Sequence, residues 1–303
     1  MNMIILTLNK GKFSKHNRIV CKNISHSENK KRDIRTKDFK LIPQEFYYST
    51  LLNVFDIDSS YAVFKLREKI YKSNPLKIED VSEVVAGIAT GNIREKLLTK
   101  DNSRVNAKKI LRGKDVLRYY HQWSGLYFID DKSLIDRKAG EYATFMRPDM
   151  INKEKIIIRQ TADRFICSYD NEGYYILNTL YSLTLKNKEK LELKYLLALL
   201  NSKLYNFLYS SLIREQGKLF PQLKIFHIQN SPVNIPSKSI QEEIINIVNK
   251  IISLNEELKN QKTVDKEHKK KTKDSLSLLL DDMIFKIFCL TKEEIEIINN
   301  EQN

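Results

Sequence analysis

The sequence has little cysteine, glycine or proline, and each shortage excludes a class of structure. Among 303 residues the three cysteines, Cys21, Cys167 and Cys289, are far apart and include no C-x-x-C pair. They indicate neither a disulfide framework nor a thiolate zinc site, and they are typical of a reducing cytoplasm. Only 8 glycines and 6 prolines are present, so no long flexible linker is encoded.

Long hydrophobic runs are also missing. No apolar stretch approaches the ~20 residues that span a bilayer, and the one at Met1 to Leu8 is shorter than a signal-peptide core. The sequence therefore predicts a protein that neither crosses a membrane nor is exported. With 42% hydrophobic residues, 13 Phe and 15 Tyr, the composition is that of a folded chain.

Motifs for base methylation and nucleotide binding are absent as well. An enzyme that methylates an adenine or cytosine amino group needs a turn such as Asn-Pro-Pro-Tyr, which holds the flipped base and stacks on it. The nearest match, Ser73-Asn74-Pro75-Leu76, lacks the second proline and the aromatic residue, and we interpret it as a helix stop. No Gly-rich strand-to-helix turn or phosphate loop occurs, so no cofactor is predicted in this chain.

A metal-dependent nuclease is an alternative with weak support in the sequence. Such an enzyme places an acidic residue before an Asp/Glu-x-Lys pair, so that two carboxylates hold Mg²⁺ and the lysine stabilises the transition state. Asp115 followed by Asp130-Asp131-Lys132 fits this pattern, but a surface turn fits it too. The five histidines lack metal-ligand spacing, so no metal site is predicted; they are His16, His26, His121, His227 and His268.

Positive charge is present in excess. The formal net charge is +14, although lysine outnumbers arginine, as codon usage in an AT-rich genome would produce. The excess ends at Ser237, and eight of the 13 arginines lie between Arg94 and Arg164. Arginine suits forked contacts with phosphate or guanine, so this distribution favours a nucleic-acid-binding face in the middle segment over a merely solvated surface.

The hydrophobic pattern predicts an α+β fold in three segments, 1–75, 76–236 and 237–303. The first has a short strand at Met3–Leu8 and a helix over Ala62–Lys72. The second is β-rich with one packed helix over Leu191–Leu212. Its predicted strands include Val81–Ile88, Leu126–Ile129, Ile156–Arg159, Phe165–Ser168 and Tyr174–Leu177.

The last segment predicts a helical hairpin. Ser239-x-x-Glu242 has the form of a capping box, and apolar residues then recur at spacings of four and three. They are Ile240, Ile244, Ile247, Ile251, Leu254 and Leu258. A partner helix is predicted over Asp274–Phe288 after a charged turn at Lys266–Lys273, and Thr291 caps a final helix. The nearly neutral hairpin suits a partner protein or a dimer mate, and a seam covered within the chain is the alternative.

Several short sequence words occur in a characteristic order between Leu76 and Pro236. They are Gly87-Ile88-Ala89-Thr90-Gly91-Asn92, Leu111–Val116 with Tyr119, Lys155–Gln160, Tyr174-Tyr175, Asn178-Thr179-Leu180-Tyr181, Leu200-Asn201-Ser202-Lys203, Gly217–Lys224 and Ile235-Pro236. In this order the segment resembles the TaqI-like C-terminal specificity domain, the target-recognition part of type IIG restriction-modification enzymes and related adenine-specific DNA methyltransferases. Asp281–Ile298 resembles the helical ending of these enzymes, and residues 1–75 resemble the link from a methyltransferase domain.

The resemblance implies a sequence-specific DNA-recognition module without a catalytic domain of its own. Its expected partners are double-stranded DNA and a methyltransferase domain or subunit, and a helix-mediated dimer is a further expectation. S-adenosylmethionine is expected only on the catalytic partner, and the expected location is the cytoplasm. A protein-interaction remnant of a truncated enzyme, without affinity for DNA, stands beside the nuclease as an alternative.

Eleven residues are predicted to contact DNA. Arg112, Lys114 and Arg118 are the first choice, followed by Arg159, Gln160 and Arg164, since arginine can fork onto guanine and glutamine onto adenine. Thr90 and Asn92 are expected donors, while Gln216, Lys218 and Lys224 surround a turn that would enter a groove. For the arginines and their neighbours, pairing with a nearby carboxylate is the alternative.

Other residues in the same words have structural interpretations. Gly87 and Gly91 either let the backbone approach the duplex or form a tight turn between strands. Asn178, Asn201 and Ser202 lie within apolar runs, and we predict that they satisfy local backbone groups.

Overall fold

A computed structural model describes residues 11, 14, 16–24, 27–36, 39–48, 56–57, 59–212, 222–260 and 265–301. The chain divides into two compact units, Met1–Lys72 and Ser73–Asn303. The predicted strand Met3–Leu8 lies outside the described residues. The segment boundaries at residues 75 and 236 remain predictions.

The first unit contains a two-stranded antiparallel sheet and a helix. Arg18–Cys21 pairs with Lys40–Pro43, and the helix over Tyr61–Ser73 confirms the one predicted from periodicity. The short helices here are Lys30–Asp33 and the 3₁₀ turn Gln44–Tyr48. Ile42, Phe46, Tyr47 and Phe64 form a small buried core between these elements.

The second unit mixes short strands with helices, which confirms the predicted α+β class. Its strands are Ser82–Ala86, Leu98–Thr99, Ala107–Leu111, Val116–Leu117, Tyr120–His121, Tyr127–Ile129, Lys155–Arg159, Cys167–Asp170, Tyr175–Ile176 and Leu180–Leu185. Its α-helices are Ile78–Val81, Arg94–Leu97, Pro148–Ile151, Leu193–Leu200, Lys203–Leu212, Ile225–Gln229, Lys238–Asn260, Lys266–Ile287 and Lys292–Asn300. Three 3₁₀ turns lie at Gly113–Asp115, Lys132–Leu134 and Arg137–Ala139.

Four antiparallel strands form what we call the central sheet. In spatial order they are Cys167–Asp170, Lys155–Arg159, Leu180–Leu185 and Ser82–Ala86. The first two align Lys155 directly opposite Asp170, and their side chains form an ion pair of 2.6 Å with both groups 0% exposed. A buried pair of this kind fixes register, because a one-residue slip would leave both charges unpaired inside the protein.

Four other strands form the second sheet, in the order Tyr175–Ile176, Ala107–Leu111, Tyr127–Ile129 and Leu98–Thr99. The first pair is parallel and the others are antiparallel. The chain leaves this sheet after Ile176 and enters the central sheet at Leu180. We call the four residues that make this passage, Leu177–Leu180, the central turn; it is closed by a hydrogen bond from the Leu180 N–H to the Leu177 carbonyl of 2.9 Å.

The single helix predicted over Leu191–Leu212 is wrong, because the structure has two helices, Leu193–Leu200 and Lys203–Leu212. The interruption is at Asn201 and Ser202. The Asn201 side chain bonds both the N–H and the carbonyl of Cys167, at 3.1 and 3.0 Å. The Ser202 hydroxyl accepts from the Tyr205 N–H at 3.2 Å, which caps the second helix. The apolar residues keep helical spacing through Asn201 and Ser202, so periodicity alone did not indicate that the helix is interrupted there.

The C-terminal hairpin is confirmed, with shifted boundaries. Its first helix begins at Lys238 rather than after Ser239, and the expected charged turn is instead the first part of the helix Lys266–Ile287. Lysine is a good helix former, and Lys269 bridges Asp265, the N-cap residue of its own helix, and Glu257 on the other helix. Ile244, Val248 and Ile251 are buried, as are Leu280, Ile284 and Phe285. Of the six predicted seam residues, Ile244 and Ile251 are buried, Ile240 is exposed, and the others, Ile247, Leu254 and Leu258, are half-buried.

The final helix begins as predicted. The Glu294 N–H donates to the Thr291 hydroxyl at 3.3 Å, and the Thr291 N–H donates to the Glu294 carboxylate at 2.8 Å. This reciprocal arrangement is a capping box. Among the described helices, none combines the length and apolar character needed to span a bilayer.

Candidate nucleic-acid interface

The central turn joins three of the segments in which DNA contacts were predicted. The Asn178 N–H donates to the Ile88 carbonyl at 2.8 Å, and the Leu180 carbonyl accepts from the Gly87 N–H at 3.0 Å. The Thr179 hydroxyl accepts from the Gly113 N–H at 3.0 Å. Its carbonyl accepts from the Gln160 N–H, also at 3.0 Å. Three segments that are far apart in sequence therefore meet at one turn.

A fourth segment, Gln222–Lys224, joins the same group through Gln160. The Leu223 N–H donates to the Gln160 carbonyl at 2.9 Å. The Gln160 side-chain amide donates to the Tyr181 hydroxyl at 2.9 Å, which in turn donates to the Leu223 carbonyl at 2.9 Å. We call the surface formed by the central turn, Gly113-Lys114, Arg159-Gln160 and Gln222–Lys224 the turn surface.

Both glycines of the Gly87–Asn92 word are required by the packing of the chain against itself. A Cβ on Gly87 would lie 2.4 Å from the carbonyl oxygens of Ile176 and Leu177. Gly91 has a φ of 53°, and its Cβ would lie 1.8 Å from the Tyr142 carbonyl oxygen. Glycine alone fits such positions without displacing backbone. The close approach made by these glycines is to neighbouring strands and loops, as in the tight-turn interpretation.

Several predicted contact residues already bond to their own chain. Thr90 is buried, and the Asn92 side chain donates to the Gly140 carbonyl and accepts from the Tyr142 N–H. Arg112 donates to the Asp115 carboxylate at 3.3 Å and to the Ser124 hydroxyl at 2.6 Å. Arg118 donates to the Asn201 carbonyl at 2.6 Å. The bonds of Asn92, Arg112 and Arg118 give these three residues structural roles.

Arg164 is a different case, because its partner is exposed. It forms two bonds with the carboxylate of Asp163, at 3.2 and 2.8 Å, with 54% of the arginine side chain exposed. The Arg164 guanidinium, with a smaller contribution from Arg159, lowers the pKa of Asp163. The pair fits the carboxylate alternative stated for the arginines, and it is accessible enough to exchange a carboxylate for a phosphate.

Three predicted cations remain available. Within the described part of the chain, the side chains of Lys114, Arg159 and Lys224 make neither an ion pair nor a hydrogen bond. Lys114 and Lys224 are exposed and Arg159 is half-buried. All three belong to segments of the turn surface. Gln216 and Lys218 lie outside the described residues.

The structural interpretation is confirmed for Asn201 and Ser202 and is wrong for the side chain of Asn178. Asn201 is fully buried and bonds Cys167, whereas Asn178 is exposed at the central turn. In the described residues the Asn178 amide group has no hydrogen-bond partner. An apolar run gives no indication that one of its residues lies at an exposed turn, so sequence pattern alone missed this candidate.

The nuclease pattern is not assembled around one site. Asp115 is 5% exposed and its carboxylate accepts from the Arg112 N–H at 2.8 Å. Asp130, Asp131 and Lys132 instead line an open cavity of about 460 Å³, where Asp130 accepts from the Tyr175 hydroxyl at 2.7 Å. In the ranges that the structure describes, no group of three or more His, Cys, Asp or Glu is placed to hold a metal ion.

Four segments of the second unit are thus held around one exposed turn, and three of them carry a cation without a hydrogen bond or ion pair in the described residues. The model of the TaqI-like C-terminal specificity domain family matches residues 108–233. The match confirms the resemblance seen in the sequence over this stretch, and it includes every element of the turn surface.

Comparison with individual proteins gives distant relatives. A Methanocaldococcus jannaschii protein named as a type II restriction enzyme and methyltransferase is 30% identical over 164 residues, which are 52% of this chain and 13% of that protein. The type IIG restriction endonuclease BpuSI matches with a TM-score of 0.44 and 14% identity over 86% of this chain and 37% of its own. The HsdS subunit from Thermoanaerobacter tengcongensis matches with a TM-score of 0.39 and 15% identity over 75% and 50%.

Proposed function

We propose that this chain is the sequence-recognising module of a restriction-modification system and binds double-stranded DNA through the turn surface. The observation that carries the proposal is that the specificity-domain match includes Lys114, Arg159 and Lys224, whose side chains make no hydrogen bond or ion pair within the described residues. Cations of this kind contact phosphates and set the register of a protein on the duplex, while neighbouring side chains contact base edges.

A partner would carry out the chemical reaction on the DNA target. The M. jannaschii relative, named as both a restriction enzyme and a methyltransferase, matches this chain over only 13% of its length. We therefore propose that a methyltransferase domain or subunit, carrying S-adenosylmethionine, acts on the DNA that this chain selects. Mixing the chain with a candidate catalytic subunit and mapping which motif becomes methylated tests this part. Methylation with the same motif in the presence and absence of the chain would contradict it.

The hairpin is the candidate surface for a protein partner, including a second copy of the chain. Ile244 and Ile251 are buried in the hairpin, but Leu278 and Leu279 are 54% and 47% exposed. Exposed leucines side by side on a nearly neutral helix suit protein contact better than DNA contact.

DNA binding is tested by the dependence of affinity on salt. We expect the wild-type chain to bind duplex DNA with an affinity that falls steeply as potassium chloride rises, because each phosphate contact releases a counterion. In the double variant Lys114→Ala/Lys224→Ala, the slope of log affinity against log salt should decrease by about 2. Fluorescence anisotropy with a labelled duplex of mixed sequence measures both.

The matched control is Lys270→Ala/Lys286→Ala, which removes the same charge from exposed positions of the hairpin. Its slope should equal that of wild type. A flat salt response of the wild-type chain, or equal losses in the two double variants, would contradict the proposal.

A further inference from the structure

Asn178 sits on a backbone that is fixed from several sides. Its own N–H bonds Ile88, the Leu177 N–H before it donates to the Leu111 carbonyl at 3.0 Å, and the Thr179 carbonyl after it accepts from Gln160. Both sheets therefore hold the turn. A side chain on such a backbone is presented in a defined position, and little conformational entropy is left for a ligand to remove.

The amide group of Asn178 makes no hydrogen bond in the described residues, unlike those of Asn92, Asn201 and Asn206. Asn201 bonds Cys167, Asn206 accepts from the Phe165 N–H at 3.0 Å, and Asn92 bonds Gly140 and Tyr142. Asn178 is exposed and makes no such bond among the described residues. Its two N–H donors and its carbonyl acceptor are all available.

Cations lie on the segments that flank this amide group. Gly113, bonded to the Thr179 hydroxyl, precedes Lys114, and Gln160, bonded to the Thr179 carbonyl, follows Arg159. Contacts from Lys114 and Arg159 to phosphates would place the central turn, to which both segments are hydrogen-bonded, close to the duplex.

A carboxamide is complementary to one base in the major groove. It presents a donor and an acceptor side by side, and adenine offers the N7 acceptor and the N6 amino donor in the same spacing, whereas guanine offers two acceptors. From the rigid turn, the unused amide group and the flanking cations, we infer that Asn178 determines specificity by reading an adenine of the target in the major groove. This inference rests on the proposed DNA-binding function.

The first test compares the motifs that three full-length chains select from a pool of duplexes with randomised sequence. We expect the wild-type motif to include an adenine whose selection is lost in Asn178→Ala. In Asn178→Asp, which keeps the shape but offers only acceptors, preference at that position should move towards cytosine, whose N4 amino group is a donor. Asn171→Ala, at another exposed asparagine of the same unit, should select the wild-type motif.

The second test examines the atoms involved. Replacing that adenine by 7-deaza-adenine removes the N7 acceptor, and the affinity of the wild-type chain should fall by roughly tenfold. The Asn178→Ala chain, which has already lost the contact, should bind both duplexes equally. Thermal melting of each variant checks that the fold is intact, which is expected because the Asn178 side chain is exposed.

The outcomes separate this inference from the proposed function. A wild-type chain that binds no DNA and selects no motif would overturn both. A wild-type chain that selects a motif which Asn178→Ala and Asn178→Asp select unchanged would overturn the inference alone, and so would equal sensitivity of wild type and Asn178→Ala to 7-deaza-adenine.

Discussion

The interior of the second unit and its turn surface use the same residue types in opposite ways. Inside, Lys155 is 0% exposed and paired with Asp170, and Arg118 donates to a helix-terminal carbonyl. At the turn surface, Lys114 and Lys224 are exposed, and in the described residues neither has a partner. Basic residues thus serve two purposes here, and those with a buried partner are not available for a polyanion.

The largest effect that this comparison predicts is a loss of stability when the buried ion pair is broken. Asp170→Ala should lower the free energy of unfolding by about 3–5 kcal/mol, because it leaves the Lys155 ammonium buried without a counter-charge. The Asp170 carboxylate also accepts from the N–H groups of Glu172 and Tyr174, at 2.9 and 3.1 Å. Urea denaturation monitored by circular dichroism measures the change.

The control is Asp163→Ala, which breaks the exposed pair with Arg164. Since exposed pairs contribute little, we expect it to cost less than about 1 kcal/mol. If Asp170→Ala and Asp163→Ala lower the free energy of unfolding by similar amounts, interior and surface pairs do not differ in the way proposed here.

The second prediction compares two basic residues four positions apart. Arg118→Ala should destabilise the fold by about 2 kcal/mol, since it removes a charge-assisted bond to the Asn201 carbonyl and a favourable charge near buried Asp281. Lys114→Ala should change stability by less than about 0.5 kcal/mol and reduce the salt slope of DNA binding by about 1. Urea unfolding should show the loss of stability in Arg118→Ala. Fluorescence anisotropy should show the flatter salt slope in Lys114→Ala. A flatter salt slope with unchanged stability in Arg118→Ala would reverse the assignment.

The smallest effect is expected at His121, which is half-buried and contacts the ring of Tyr174 edge-on at 5.1 Å. Burial lowers the pKa of His121 below its ordinary value of 6.5; the carboxylates of Asp170 and Glu172 oppose this shift, and the ammonium groups of Lys155 and Lys259 add to it. The unfolded chain therefore takes up a proton at a higher pH than the folded chain. Stability is lost as the pH falls from about 7 through the lowered pKa, by at most about 1.4 kcal/mol per pH unit.

His121→Gln should lose this part of the pH dependence, and His268→Gln, at an exposed position of the hairpin, is the matched control. Denaturant titrations at several pH values give the comparison. Identical curves for wild type and His121→Gln would show that His121 does not contribute.

Sequence pattern predicted five of the ten described strands of the second unit, those that are apolar runs bounded by turn residues. It did not single out Leu180–Leu185, the strand between Lys155–Arg159 and Ser82–Ala86. This strand buries Ser182 and Thr184 along with its apolar residues, so it lacks the alternation that indicates a half-buried strand. It also did not single out Ala107–Leu111, which carries two exposed lysines.

For the interface, sequence reasoning predicted the segments better than the side chains. The words around Gly87, Arg112 and Arg159 do meet at the central turn. Which side chain in each word remains unpaired depends on bonds that sequence spacing does not give, such as Arg112 with Ser124 and Arg118 with Asn201. The same limit explains why Asn178 was assigned a structural role.

The central turn is held by its main-chain atoms and the Thr179 hydroxyl, while Asn178 contributes only its backbone to that framework. Substitution at position 178 could therefore alter what the surface selects while leaving the scaffold unchanged. In evolutionary terms, such a site is free to vary. Closely related chains could diverge in preferred target through a single codon without compensating changes in the core.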